Sequence, residues 1–476
     1  MTGRSAAFTE TVDGTLQAHL VRSDGQEDLA FALYHPSRGE GRHTALIREI
    51  LLPLEGDRAV HGNVEFFPQY FERTLAGALA SGAGIALLHS HPRGTGWQGM
   101  SPDDVEAEAS VAASVEAATG LPLIGLTLGV RNLEWSARSW ERGADRRYRP
   151  IDCDSVRVVG MALRMSYDPA QLPPPDRVPE LSRTIEAWGH AAQSRLARLH
   201  VGIVGAGSVG SVVAEMLARV GVARVRIIDF DRLEAHNRDR MLHATAEAAR
   251  KMEPKVNVLA RSIRPSATAR NFVADARQLS ICEEAGYRAA LDCDLLFSCV
   301  DRPWPRSVLN FIAYAHLIPV IDGGIAVYRF DDGRLRGAEW RAHVVTDGHR
   351  CLACLLQYDP ALVSTERAGQ LDDPTYIQGL PPEHAVRANQ NVFAFSVAAA
   401  SLEFLKLILL IVQPSRIADV GAQFYHFPSS TVDFDGRPCE TWCPYPALAA
   451  LGERAGHPGT ADHAAAEAAR SQPADN

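Results

Sequence analysis

Between Leu199 and Asp231 the sequence LHVGIVGAGSVGSVVAEMLARVGVARVRIIDFD reads as strand, glycine turn, helix, strand. Leu199 to Val204 form a short apolar run, and Gly205, Gly207 and Gly210 then supply G-x-G-x-x-G. Val209, Val212, Val213, Met216, Leu217 and Val220 recur at helical spacing, and Gly221 follows as a left-handed cap. The second run, Ala223 to Phe230, delivers Asp229 and Asp231 at its carboxyl end, where open α/β sheets bind ligands. A phosphate reaches the amides of a helix N-terminus only where no side chain covers them, which gives the glycines their purpose. The stretch is therefore a nucleotide-binding βαβ unit. Asp229, 24 residues after Gly205, suits a carboxylate on a ribose hydroxyl, and that fits NAD as well as ATP.

The remaining length bounds what surrounds this unit. At roughly 150 residues per domain, 476 residues allow about three, so two large domains with tails are expected. A net charge of -9 and a pI near 6.0 argue against a nucleic-acid-binding surface. The opening MTGRSAAFTETVDG has no apolar core of signal-peptide length, so a cytoplasmic location is expected. Val392 to Val412 is strongly apolar, but Glu403 and Lys406 lie inside it and would each cost about 2.5–3.5 kcal/mol at a bilayer centre. A buried or dimer-facing helix is the better reading, with no membrane span. Of eight cysteines, Cys351 and Cys354 form one close pair and Cys439 and Cys443 another, a pattern that in a cytosolic chain means metal more often than disulfide.

Up to residue 168 the pattern is mixed α/β, with strands at Leu29–Tyr34, Ala45–Leu52 and Gly84–His91 and a helix at Gln69–Ser81. His89-Ser90-His91-Pro92 is followed, after eight residues, by Ser101-Pro102-Asp103-Asp104. With a strand period of two, His89 and His91 project from one face and can share a metal ion. Ser101 opens a helix running to about Thr119; alone, Ser101 and Asp104 read as a helix-capping box. Together the two halves resemble the JAMM (MPN) metalloprotease motif, a Glu, then H-x-H-P, then S-x-x-D, over about residues 20–165. The resemblance implies a catalytic Zn²⁺ on His89, His91 and Asp104, with Asp103 the neighbouring alternative ligand. It also implies a glutamate as proton acceptor: Glu27 fits best, with Glu40 and Glu49 as rivals, and Ser101 would stabilise the oxyanion.

A proline-rich stretch at 169–180 reads as a stiff linker, and a second domain is expected over 181–445. Here Arg183 precedes the first strand. Asp229-Phe230-Asp231, Asn237, Arg240, Pro254-Lys255, and Asp301 with Arg306 five residues later follow in order. This ordered series resembles the ThiF/MoeB/HesA-like adenylyltransferases, relatives of ubiquitin-activating enzymes, and favours ATP over NAD. The expected architecture is then a JAMM/MPN-type mixed α/β domain followed by a Rossmann-like adenylyltransferase domain with a mainly parallel sheet. The resemblance implies that Asp229 binds ribose, Arg240 and Lys255 hold the triphosphate, Asp301 holds Mg²⁺, and Arg183 reaches the nucleotide of the other protomer of a homodimer. Arg302 stands where these relatives often carry asparagine. The two cysteine pairs imply a structural Zn²⁺ on Cys351, Cys354, Cys439 and Cys443. The Ala-, Gly-, Asp- and Arg-rich tail, 446–476, is expected to be disordered.

Both resemblances imply one substrate class, the C-terminus of a β-grasp, ubiquitin-like protein. The expected function is a component of a bacterial-type ubiquitin-like conjugation system: it adenylates the modifier and cleaves (iso)peptide bonds after it, with a conjugating-enzyme-like protein as a further partner. The alternative is an activator and processor of a sulfur-carrier protein in cofactor or cysteine biosynthesis. A scaffold with degenerate sites fits less well, since every motif keeps its charged members. Gln357 to Asn391 contains no cysteine, so transfer straight from the acyl-adenylate is expected, without a thioester on this chain.

Overall fold

The sequence GRSAAFT, small and apolar and buried along most of its length, makes the first strand, β1 (Gly3–Thr9). The computed structural model describes residues 2–372, 378, 390–414 and 420–472. These divide into one unit of residues 1–174, 315–317 and 447–456 and a second of the remainder. The boundary at Pro174 falls within the proline-rich stretch.

In the first unit the further strands are β2 (Leu29–Arg38), β3 (Arg42–Leu51), a separate ribbon of β4 (Arg58–His61) and β5 (Asn63–Phe66), then β6 (Gly84–His91) and β7 (Leu123–Gly129). β8 (Glu134–Arg142), β9 (Tyr148–Asp152), β10 (Ser155–Val159) and β11 (Leu163–Tyr167) complete the set. Nine of them form one mixed sheet in the order β11-β10-β1-β3-β2-β6-β7-β8-β9. Alternation along β2 sends Ala30, Ala32 and Tyr34 to one face and Leu29, Phe31 and Leu33 to the other. The first face packs Leu16 and Leu20 of α1 (Glu10–Leu20). The second packs Tyr70 and Ala78 of α2 (Pro68–Ser81) and Val111 and Ala112 of α3 (Pro102–Thr119). Arg138 and Trp140 on β8 both donate to the buried Glu108 carboxylate, from Arg138 Nε at 2.9 Å and Trp140 Nε1 at 2.5 Å. That pair anchors α3, and Asp104, one turn earlier, shares its face.

The second unit contains α4 (Ser182–Trp188), α5 (His190–Arg198), β12 (His200–Val204), α6 (Ser208–Arg219) and β13 (Arg224–Ile228), the last three being the strand-turn-helix-strand read from the sequence. Next come α7 (Ala246–Arg250), α8 (Lys255–Ile263), β14 (Val273–Arg277), α9 (Glu284–Ala290), β15 (Leu295–Ser298) and α10 (Pro303–Ala315). They are followed by β16 (Val320–Arg329), β17 (Leu335–Val345), α11 (Pro360–Arg367), α12 (Phe393–Val412), β18 (Ala422–His426), β19 (Thr431–Asp435) and α13 (Ala464–Ser471). The sheet runs β14-β13-β12-β15-β16-β17-β18-β19. Its first five strands are parallel and the last three add antiparallel pairings. Strand order reverses direction at β12, where β13 lies to one side and β15 to the other, and such a switch point is where doubly wound sheets bind ligands.

By length and composition α12 could cross a membrane. It packs against α5, α6, β16 and β17, however, with Glu403 and Lys406 fully buried and Lys406 Nζ donating to Gly421 O at 2.6 Å. The tail corrects the expectation of disorder. Ala447–Gly456 belongs to the first unit, where Arg48 Nη1 donates to Ala449 O at 2.7 Å and Ala450 is buried. Residues 457–472 fold into the second unit, held by Trp304 Nε1 donating to Gly459 O at 2.8 Å and by an Arg470–Glu283 ion pair at 2.7 Å. These anchors are single polar contacts with distant residues, which leave no apolar periodicity to read.

Candidate functional site

In the second unit the three glycines do different work. Gly205 has φ +97°, and a Cβ there would stand 2.4 Å from Cys299 O on the neighbouring strand end. At Gly210 a Cβ would meet Gly205 O at 1.9 Å, so glycine lets α6 approach β12. Gly207, at the start of α6, faces open space, with nothing within 4 Å. That space belongs to a cavity of about 1450 Å³ lined by Gly205, Gly207, Asp229, Asp231, Asn237, Arg240, Lys255, Asp301 and Arg306. The fold thus brings together nine of the residues singled out in the sequence.

Their partners set what each has left to offer. Asp229 accepts from Ala206 N at 2.6 Å and Asp231 N at 2.7 Å, so the turn itself orients its carboxylate. Lys255 Nζ donates to Asp231 Oδ2 at 2.7 Å; burial works against its charge, and Asp229 and Asp231 outweigh it and raise its pKa. Arg240 contacts Asp239 Oδ1 at 3.0 Å, and Asn237 Oδ1 accepts from Glu234 N at 2.9 Å, a local cap. Arg306 lies 3.4 Å from the buried Asp322 and donates to Gly323 O at 3.0 Å. Arg302 is turned to Leu371 O and Asp372. Arg183 is exposed on α4 and does not line the cavity. Sequence reading missed Arg341 and Glu403, buried residues that line this cavity, and Asp322, buried behind them and ion-paired to Arg341; burial pushes the Glu403 carboxyl well up, and in the sequence Glu403 showed only as a charge within an apolar helix.

In the first unit β6 pairs with β2 so that His89 faces Leu29, which places Glu27, two residues upstream, beside the histidine end of the strand. His89 Nε2 and His91 Nε2 are 3.2 Å apart, His89 Nε2 lies 3.3 Å from Asp104 Oδ1, and His91 Nε2 lies 3.4 Å from Asp104 Oδ2. Ligands about 2.05 Å from a tetrahedral zinc stand about 3.3 Å from one another, so this spacing fits such an ion. Asp103 is instead turned to Asn63 Nδ2 at 2.8 Å, and Ser101 and Asp104 cap α3 reciprocally. Burial opposes the Asp104 charge, but hydrogen bonds from His89 and His91 hold its carboxyl well below the usual range. The Asp104 hydrogen bond in turn raises His91. Burial pushes Glu27 up, while His91 and His89 oppose it, so its carboxyl feels both rings. Glu49 lines a different cavity with His35 and Arg48, and Glu40 sits in the turn after β2.

The four thiols of Cys351, Cys354, Cys439 and Cys443 lie within 4.8 Å of one another, close enough to hold a metal. Cys351 Sγ and Cys443 Sγ are 3.6 Å apart, near the roughly 3.8 Å edge of a tetrahedral zinc-thiolate site. Amides donate to the sulfurs, Cys351 N to Cys439 Sγ (3.1 Å) and Cys354 N to Cys351 Sγ (3.3 Å), which favours the thiolate form that a metal needs. Among the described residues, this cluster and the His89, His91 and Asp104 group are the two with metal-ligand spacing.

Comparison with known proteins places residues 181–433 in the ThiF family. Ubiquitin-like modifier-activating enzyme 5 of Drosophila virilis is 28% identical over 137 residues, 26% of this chain and 33% of that protein. The Rattus norvegicus enzyme of the same name is 31% identical over 120 residues, 23% of this chain and 29% of that protein. The chain thus spans about a third of the length of the curated relatives it matches. Among solved structures, E. coli MccB with ATP aligns with a TM-score of 0.42 and 17% identity over 56% of this chain and 74% of that chain. The family match begins at residue 181, so the histidine site stands on its own geometry.

Proposed function

This chain belongs to the ThiF family, and from that premise we propose that its second unit adenylates the C-terminal carboxylate of a ubiquitin-like protein or peptide with ATP. The observation that carries this reading is the convergence of Gly207, Asp229, Lys255, Asp301 and Arg306 on one cavity. The substrate carboxylate attacks the α-phosphorus, the bond to the β,γ-phosphates breaks, and pyrophosphate leaves. Negative charge grows on phosphoryl oxygens in that step, and Lys255, Arg240 and Arg306 supply positive charge where it develops. Mg²⁺, when bound at Asp301, would neutralise further phosphate charge. The exposed Arg183 suits a role in the site of a second copy. Mixing Arg183→Ala with Asp301→Ala protein should then restore part of the activity, and no recovery despite subunit exchange would count against a composite site.

For the first unit we infer a zinc peptidase acting on the (iso)peptide bond after the same C-terminus, on the strength of the 3.2–3.4 Å triangle of His89, His91 and Asp104. Zinc held there would polarise the scissile carbonyl and acidify a water. Glu27, its pKa raised by burial, would accept the proton and return it to the leaving amine, and the Ser101 hydroxyl would donate to the oxyanion. ATP–pyrophosphate exchange with candidate β-grasp partners tests the first activity, and cleavage of the matching fusions tests the second. A conjugation partner or a sulfur donor would consume the acyl-adenylate; the lack of cysteine between Gln357 and Asn391 favours direct transfer in either case.

A further inference from the structure

The tail beyond the family match supplies a side chain to the nucleotide cavity. Residues 457–472 lie across the ends of β13, β14 and α10: Ala461 N donates to Cys282 O at 2.9 Å, and Arg232 donates to Ala469 O at 2.7 Å. With Trp304 bound to Gly459 and Arg470 to Glu283, this segment is tied at four places. It carries His463, which is 9% exposed and lines the cavity with Phe230, Ser280 and Ile281. The ring packs edge-on to Phe230, with centroids 4.9 Å apart, and lies 5.1 Å from Trp304.

The order of subsites along the sheet says which part of a nucleotide comes here. Phosphates belong at the glycine turn and the N-terminus of α6, and the ribose belongs at Asp229, at the end of β13. Continuing from β12 past β13 leads to β14, so the base lies over Phe230, Leu279 to Ile281 and His463. Ser280 Oγ accepts from Cys282 N at 3.1 Å and lies 2.8 Å from His463 Nδ1. In the tautomer in which the Ser280 hydroxyl donates to Nδ1, the ring proton is on Nε2, the imidazole's second hydrogen-bonding atom, which is then a donor. Burial lowers the His463 pKa, in keeping with a neutral ring.

We propose that His463, carried by the C-terminal tail, is a base-recognition residue whose Nε2–H donates to a ring nitrogen of the purine, with Ser280 as its positioning residue. The proposal rests on the adenylation reading above, and it gives the tail a part in binding nucleotide that the family domain alone does not supply.

Equilibrium binding of ATP and of CTP to the full chain, with Mg²⁺ present, tests it. The wild type should prefer ATP. His463→Ala and His463→Phe should each raise the Kd for ATP about tenfold and leave that for CTP within about twofold, so the preference shrinks. His463→Gln, whose amide nitrogen replaces Nε2, should keep most of it. Equal weakening of both nucleotides would mark His463 as a merely structural wall and overturn the proposal, as would unchanged ATP binding in folded His463→Ala. Failure of the wild type to bind either nucleotide would instead overturn the adenylation reading itself, and this inference with it.

Discussion

Lys255 Nζ lies 2.7 Å from Asp231 Oδ2, so the cation proposed to hold the triphosphate is held inside the cavity by a carboxylate. Its ammonium is oriented before the nucleotide arrives, and Asp229 and Asp231 keep its pKa raised against burial. Lys255→Ala should therefore lower ATP–pyrophosphate exchange by about 10²–10³-fold while the chain stays folded. Because the shift is upward, wild-type exchange should show no loss attributable to Lys255 between pH 7 and 9. A pH profile of the exchange rate checks both points.

The glycine turn separates folding from binding within four residues. A Cβ at Gly210 would stand 1.9 Å from Gly205 O, so Gly210→Ala should destabilise the second unit by about 1–3 kcal/mol, read by denaturant unfolding. A Cβ at Gly207 meets nothing within 4 Å and enters the cavity. Gly207→Ala should unfold at nearly the wild-type denaturant concentration and bind ATP about tenfold more weakly. The reverse pattern would contradict the phosphate assignment.

Much of this was legible in the sequence where a local pattern dictates local structure. The strand Gly84–His91 and the helix from Pro102 to Thr119 occur as read, because the short apolar run of the one and the Ser101 cap, Pro102 and Gly120 of the other are local signals. Gly205, Asp229, Lys255 and Asp301 converge as their order implied. What escaped depends on distant partners. β1 lies inside the nine-stranded sheet, yet GRSAAFT has little alternation and only one large apolar residue. The tail is fixed by Trp304, Glu283 and Cys282, far away in sequence, and the buried cluster of Asp322, Arg341 and Glu403 is assembled from two strands and a helix.

At the histidine site, a proton and the proposed zinc would compete for the same atoms. In the metal-free protein His91 is raised by Asp104, so that pair's stabilisation is complete below the ordinary histidine value of about 6.5 and is lost as pH rises through the raised value. Asp104 is depressed, so its contribution is present above about 3.8 and fades only in acid. Zinc needs a neutral His91, and its binding runs the other way. The increase in Tm on adding zinc should grow from pH 6 to pH 8 and be absent in His89→Ala. A zinc shift that is flat with pH, or full zinc occupancy of His89→Ala, would remove the assignment.

Glu27 and Glu49 separate the base from its rival. Glu27→Gln should retain zinc and lose cleavage of a β-grasp fusion by about 10²–10⁴-fold. Glu49→Gln, in a different cavity, should cleave normally. Loss of cleavage in Glu49→Gln with normal zinc would transfer the role.

The adenylation site is tested most directly by ATP–pyrophosphate exchange on the full chain with a panel of β-grasp proteins ending in a free glycine carboxylate, comparing wild type with Asp301→Ala. The wild type should show Mg²⁺-dependent exchange with at least one partner, and a folded Asp301→Ala variant that still gains stability on adding zinc should exchange only at background. Exchange that persists in Asp301→Ala, or a wild type that binds NAD tightly and exchanges with no partner, would contradict the adenylation assignment.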